Sequence, residues 1–341
     1  MLIRAPKMEN IVVSSHRTER RRLLRAALLA AGAAISWRAR AQGAKVLRIV
    51  VPFPAGGGTD VLARVVGDKL RGQYGAVIVD NRVGASGRIG VEYVKAASPD
   101  GATLLFTPDF LLTLYPFSFR KLAYDPLRDF APVAIVARST LALSGGAALP
   151  ASVKSVNDFL AWARLTPKNA FYATTAAGGT PHFIGLMLAQ SAGVALAPVH
   201  YKGGAPALQD LLAGQIPLSI NPLGEILPYA RTGKIRVLAT TGRQRSRFLP
   251  DVPTMAESGF PGIVIEPWLG LLAPAQTAAE KINELAAAVA EAAKLPDAIE
   301  AAEKLGNELA FASPEVFRET IAADLERWRP VVHASGFTAE D

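Results

Sequence analysis

The chain is predicted to be an α/β protein of two Rossmann-like domains joined by a hinge that the backbone crosses twice. Three observations carry this. Short apolar runs rich in β-branched residues alternate with segments of helical periodicity from residue 46 to residue 240. Small or Gly-rich turns separate most of these runs from the helix that follows. One more apolar run and a helical tail then end the chain, and that tail needs a sheet face to cover, which the first domain supplies.

Val46 to Val51 is apolar and reads as a buried strand. Pro52 and Pro54 stop it, and Gly56, Gly57 and Gly58 let the backbone approach a neighbour closely. A helix begins at Thr59-Asp60, with Val61, Leu62, Val65, Val66 and Leu70 on one face. Strand, Gly-rich loop and helix N-terminus form a candidate anion site. Residues 52–59 hold no Lys or Arg, so such a site would use backbone amides. A tight turn whose glycines serve packing alone accounts for the same residues.

Ala76–Asn81 reads as a strand, Arg88–Ala97 as a helix with Ile89, Val91, Tyr93 and Val94 available to the core, and Thr103–Thr107 as a third strand. The order βαβαβ predicts an open, largely parallel sheet with binding at the carboxyl ends of its strands, here 52–59, 81–87 and 107–109. Pro108–Asp129 reads as irregular with a short helical turn. Ala131–Leu143 is strand-rich, and Ser144-Gly145-Gly146 breaks it, which places the first crossing near Ser144.

A second series follows: helix Ser155–Leu165, strand Phe171–Thr174, helix His182–Ala192, strand Ala197–His200, helix Ala205–Ala213, strand Ile216–Ile220, turn Asn221-Pro222, helix Gly224–Arg231 and strand Lys234–Thr240. After a loop over Gly242–Pro261, Ile263–Ala273 returns as a strand through a second crossing near Glu266. Helices over Thr277–Leu295, Asp297–Leu305 and Pro314–Ala334 complete the chain, the last opened by Ser313-Pro314-Glu315 as cap, first-turn proline and first-turn acid. Residues 42–143 with 265–341 thus form domain 1, and 144–264 domain 2.

The 341 residues, half of them apolar, suffice for two domains and a sizeable core. Cysteine is absent, which excludes disulfides, thiolate nucleophiles and thiolate metal sites. Of 37 basic residues nine fall in 1–41 with two acids, leaving 28 basic against 27 acidic in the remainder. That near balance opposes a nucleic-acid-binding surface. The basic start reads as an export signal over 1–41: Arg20-Arg21-Arg22 and Arg25, an apolar stretch Ala26–Ile35, and Ala39-Arg40-Ala41 before a mature start near Gln42. A basic tail is the plainer alternative, and the paired arginines leave the general and twin-arginine export routes both open. The mature chain is expected to be soluble and exported, as a monomer.

The chain lacks a G-x-S-x-G elbow, HExxH and a phosphate loop ending in GK[ST], and Gly84–Gly90 departs from the dinucleotide fingerprint. His16, His182, His200 and His333 are dispersed, so neither a metal nor a cofactor is expected. His182 either orients a ligand or locks its turn through a side-chain hydrogen bond. Asp60 either faces the ligand or complements the helix dipole. Arg243, Arg245 and Arg247 read as solvated or as a docking patch, and Trp268 as cleft wall or core.

The segments VPFPAGGGTD (51–60), VDNRVGASGRIG (79–90), YATTAAGGTPH (172–182), VHYKGGAPALQDLLAGQI (199–216), LPDVPTMAESGFPG (249–262) and WLGLLAP (268–274) occur in one order across the mature chain. With them the sequence resembles the periplasmic substrate-binding proteins of tripartite tricarboxylate transporters, the Bug receptors. The resemblance implies a periplasmic-binding-protein type II fold, with a small carboxylate gripped between one loop of each domain, partly through water. By position the first loop is Phe53, Pro54, Ala55, Gly56, Gly57, Gly58 and Thr59. The second is Thr174, Thr175, Ala176, Gly178, Gly179 and Thr180, with Thr107, Asp109, Tyr201 and Asn221 lining the rest. Two departures stand out. Thr174-Thr175-Ala176 replaces the family's Ser-Ser-Gly, which implies a different turn shape because alanine tolerates positive φ poorly, and Tyr115-Pro116 replaces Asn-Pro and brings bulk to the pocket.

The function so implied is that of a non-enzymatic receptor. It would take an organic acid, acidic amino acid or aromatic acid and deliver it to a two-component membrane permease. A ligand sensor without a dedicated permease, or an exported enzyme on an α/β scaffold, is the alternative.

Overall fold

In the computed structural model, which describes residues 46–339, the chain opens with β1 (Leu47–Val51), α1 (Gly58–Tyr74), β2 (Val77–Asn81), α2 (Arg88–Lys95) and β3 (Thr103–Pro108). The export segment expected at 1–41 lies outside the described residues. β1 is buried at every position except Arg48, which requires strands on both sides and helices on both faces. It has both: β2 and β3 flank it in parallel. On α1 the buried stripe is Leu62, Ala63, Val66 and Leu70, with Val61 and Val65 at its margins. Ile89, expected in the core, is instead 48 % exposed on α2.

The segment expected to be irregular contains two short helices, α3 (Phe110–Thr113) and α4 (Tyr115–Ser118). The apolar run that follows is two elements, β4 (Phe130–Ser139) and β5 (Leu141–Gly145), which belong to different sheets. The first crossing therefore falls at Thr140. Ser144, where the break was expected, sits inside β5 opposite Ser219. Residues 141–143 thus go with the second lobe.

That lobe continues with α5 (Val156–Leu165), β6 (Phe171–Thr174), α6 (Thr180–Ala192), β7 (Ala197–His200), α7 (Gly204–Leu212), β8 (Leu218–Pro222), α8 (Leu223–Arg231) and β9 (Arg236–Thr240). Its sheet runs β7-β6-β8-β5-β9, with β6 parallel to β7 and β8, and β5 antiparallel to β8 and β9. Ser155 and Asp158 cap α5 reciprocally, the serine Oγ accepting from Asp158 N and the carboxylate from Ser155 N. Asn221-Pro222 ends β8 rather than forming a separate turn.

The chain returns through β10 (Trp268–Pro274), α9 (Ala279–Ala292), α10 (Pro296–Lys304), β11 (Asn307–Ala312) and α11 (Pro314–Ser335). The first sheet is ordered β11-β4-β10-β3-β1-β2, and β10 is antiparallel to both β3 and β4. Both sheets are therefore mixed, because each crossing re-enters a sheet against the direction of its neighbours. The strand expected from Ile263 starts only at Trp268; Ile263 and Ile265 pack in the second lobe, and Ile265 N donates to Thr241 O at 2.8 Å.

Ser313 Oγ accepts from Val316 N and starts α11, whose 22 residues reach both lobes. Its Phe317 and Ile321 pack with Trp268 in the first lobe, and its Trp328 and Val332 pack with Phe183 and Leu188 in the second. No helix among the described residues is long and apolar enough to cross a membrane.

Candidate functional site

Two helix N-termini, one from each lobe, meet at a single cavity of about 400 Å³ between the sheets. Phe53, Gly58 and Thr59 approach from the start of α1, and Thr175, Thr180 and Pro181 from the start of α6. The crossings form the floor, with Ser139 and Leu141 on one side and Pro267, Trp268 and Leu269 on the other.

The first loop is held by a closed polar network. Asp60, 1 % exposed, accepts from Gly56 N at 2.8 Å, from Asn81 Nδ2 at 2.8 Å and from Arg64 through Nε and Nη2 at 3.0 and 2.9 Å. Burial alone would raise its carboxyl. The bonds from Arg64, Gly56 and Asn81 outweigh that and hold it below the usual carboxylate range. Asn81 also donates to Phe53 O at 3.0 Å, tying the loop to the end of β2. Asp60 is thus spent on the loop and does not face the ligand. Pro54, Ala55, Gly56 and Gly57 form the exposed outer arc and do not line the cavity, and the Gly56 amide is already taken.

In the second loop the positive φ falls on Gly178, at 72°, while Ala176 keeps φ negative, so the departure from glycine there causes no strain. Thr174 is fully buried and bonds Ala176 O at 2.9 Å and His200 Nδ1 at 3.0 Å. Gly178 N donates to His182 Nδ1 at 3.2 Å. The histidine is therefore the turn's lock and not a cavity residue. Burial, with His200 beside it, pushes the His182 imidazole down to about 4, so it is neutral and able to accept that bond. Thr174, Ala176, Gly178, Gly179 and His182 support the loop, while Thr175 and Thr180 reach the cavity. Thr180 Oγ1 is buried without a hydrogen-bond partner among the described residues. An unpaired buried hydroxyl is costly unless a ligand or water completes it.

Other expected residues lie outside the lining. Thr107 is fully buried and bonds Pro108 O. Tyr201 donates to Asp210 at 2.7 Å. Asn221 is fully buried in β8 and donates to Glu225 Oε2 at 3.0 Å. Tyr115 donates to Ser86 O and packs edge-on against Phe119 and against the cavity residue Phe110, one layer behind the lining. Asp109 does line it.

Sequence reasoning missed Pro222, Gly224, Glu225 and the turn 304–307. Pro222 to Glu225 follow a strand end, so the strand-end rule could have found them. The turn 304–307 precedes an antiparallel strand and offers no such signal. Glu225 is open to cleft water yet enclosed by the walls, and that enclosure raises its carboxyl against the Asn221 bond. Among the described residues Lys304 is the one cation on the cavity wall, and it is ion-paired with Glu300 at 2.6 Å. Arg243, Arg245 and Arg247 pair with Glu266, Glu257 and Glu303 rather than forming a free patch. Trp268 is both wall and core, 1 % exposed.

Residues 62–337 match the model of the tripartite tricarboxylate transporter family receptor. The chain belongs to this family. The receptor is 33% identical over 312 residues to Protein BugT of Bordetella pertussis, covering 90% of this chain and 94% of that one. Among solved structures it is similar to Rpa4515 of R. palustris with adipate, at 34% identity and a TM-score of 0.77, covering 86% of this chain and 98% of that one. It is also similar to MatC of Rhodopseudomonas palustris with bound malate, at 29% identity and a TM-score of 0.72, covering 84% and 98%. Its fold is that of these binding proteins: two α/β domains with mixed sheets.

Proposed function

We propose that this receptor binds a small dicarboxylate in the cavity between its lobes and delivers it to a two-component membrane permease after export. The observation that carries the reading is the convergence of the α1 and α6 N-termini on one cavity, one of whose wall residues, Thr180, has a buried hydroxyl left unpaired among the described residues. The first amides of α1 lack intrahelical acceptors, and at α6, where Pro181 has no N–H and His182 N donates to Gly179 O, the Thr180 amide remains; all sit at the positive end of a helix dipole, so a carboxylate there gains hydrogen bonds without an arginine. Micromolar affinity needs about 8 kcal/mol, which three to five charge-assisted bonds of about 1.5–3 kcal/mol each supply. Adipate in Rpa4515 and malate in MatC support the same ligand class. Among the described residues no nucleophile at the cavity is hydrogen-bonded to a base, which favours binding without turnover.

Isothermal titration against adipate, malate, glutamate and benzoate tests this. At least one dicarboxylate is expected to bind in the micromolar range. Thr180→Val should weaken it about tenfold with an unchanged melting temperature, and Thr180→Ser should restore it. Failure of every carboxylate, or consumption of one during the titration, would sink the reading.

A further inference from the structure

Asp109 is an acid in the wall of a cavity read as carboxylate-binding, and that apparent conflict has a chemical resolution. The residue is 3 % exposed and follows the end of β3. Its backbone is fixed on both sides: its N–H donates to Trp268 O at 3.0 Å, and its C=O accepts from Leu112 N at 2.9 Å and Thr113 N at 3.0 Å. Among the described residues no cation lies within ion-pair distance of its carboxyl. A second acid stands nearby: Asp324 of α11, which accepts from Trp268 Nε1 at 2.9 Å. Arg138 of β4 acts on both acids from longer range, and Arg327, 3.6 Å from Asp324, is the latter's own partner. Among the described residues the other titratable groups on the cavity wall are Glu225 and Lys304.

We propose, resting on the dicarboxylate reading above, that Asp109 meets the ligand as a neutral carboxylic acid and donates its O–H to a ligand carboxylate oxygen. A desolvated wall with another acid beside it favours the uncharged form, and a neutral acid is a donor where its anion is acceptor-only. Burial first, and Asp324 second, push the Asp109 carboxyl up to about 8 in the ligand-free protein. The ligand's own charge raises it further on binding. The sign follows: below pH 8 the proton is already present and affinity is flat, while above it each bound ligand draws one proton from solvent. Affinity then falls about tenfold per pH unit. His182 and His200, both lowered, stay neutral across this window.

The test titrates the full chain with adipate, and with malate should adipate not bind, at pH 7, 8 and 9 in two buffers of different ionisation enthalpy. The expected result is tight binding at pH 7, uptake approaching one proton per ligand at pH 9, and a fall of about fivefold between pH 8 and 9. Asp109→Asn, which keeps a donor and the shape, should bind more weakly but with no proton uptake and no pH slope. Glu225→Gln and Lys304→Gln should each keep the slope. Persistence of the slope in Asp109→Asn places the proton elsewhere and overturns the proposal. So does binding by the parent protein without proton uptake, a readout that requires no variant. No heat from either acid overturns the ligand reading itself, and this proposal with it.

Discussion

Gly306→Ala is expected to lower the melting temperature by roughly 5–15 °C and to weaken ligand binding by about tenfold or more. Gly306 sits in the turn before β11 with φ at 66°, and a Cβ there would collide with the backbone of Gly224 at the start of α8. The reciprocal contact is as close, since a Cβ on Gly224 would meet Leu305 O. First and second lobes therefore touch backbone to backbone beside the cavity, where no side chain can swing aside. Left-handed backbone costs an alanine about 1–2 kcal/mol, and overpacking adds about 1–3 kcal/mol. The cheaper escape is to part the lobes on that side, which separates the α1 and α6 N-termini from a shared ligand. Gly233→Ala isolates the strain alone, because its φ is 72° and nothing lies within 4 Å of its Cβ. Calorimetric melting and ligand titration of both variants decide the matter. Equal losses in the two would remove the lobe contact from the explanation.

The two loops that reach the cavity were legible because each sits where a short, continuously buried apolar run gives way, through glycines, to a helix. β1 with α1, and β6 with α6, carry that signature in unbroken sequence. The crossing was displaced because Ser144-Gly145-Gly146 carries stronger turn chemistry than Arg138-Ser139-Thr140, the polar break inside Ala131–Leu143 at which the chain changes sheet. β11 was missed altogether: its six residues alternate weakly in burial and it pairs only with β4 at the sheet edge, so periodicity had little to register. Asn221 was placed on the wrong element for a related reason, since Asn-Pro is turn chemistry, yet here it ends a buried strand and its side chain supports Glu225. Much of the cavity wall comes from the crossings and from residues 304–307, and of these Pro267, Trp268, Leu269 and 304–307 are brought to the loops only by the return of the chain. The family resemblance located the two loops. It could not tell which members of them face inward, because that depends on which amides and hydroxyls the protein has already used.

Asp60 supplies the second large effect, and its pH dependence has a definite sign. Asp60→Ala removes the shared acceptor of Gly56 N, Asn81 Nδ2 and Arg64 at once. Bonds to a charged group contribute about 1.5–3 kcal/mol each, but they are not additive, and half-exposed Arg64 recovers hydration, so a loss of about 2–4 kcal/mol is expected. Ligand affinity should fall with it, because Gly58 and Thr59 are aimed by this network. Asp60→Asn, close in shape but uncharged, isolates the carboxylate. The folded protein holds Asp60 below its ordinary value, so its contribution is fully present above the unfolded value of about 3.9 and is lost as pH falls through the folded one. The gap in melting temperature between the parent protein and Asp60→Asn should therefore stay constant from pH 7 to about pH 5 and narrow progressively as the carboxylate takes up its proton in more acid solution. A gap that persists undiminished at the lowest pH at which the protein remains folded would mean that shape, and not charge, is what Asp60 gives the loop.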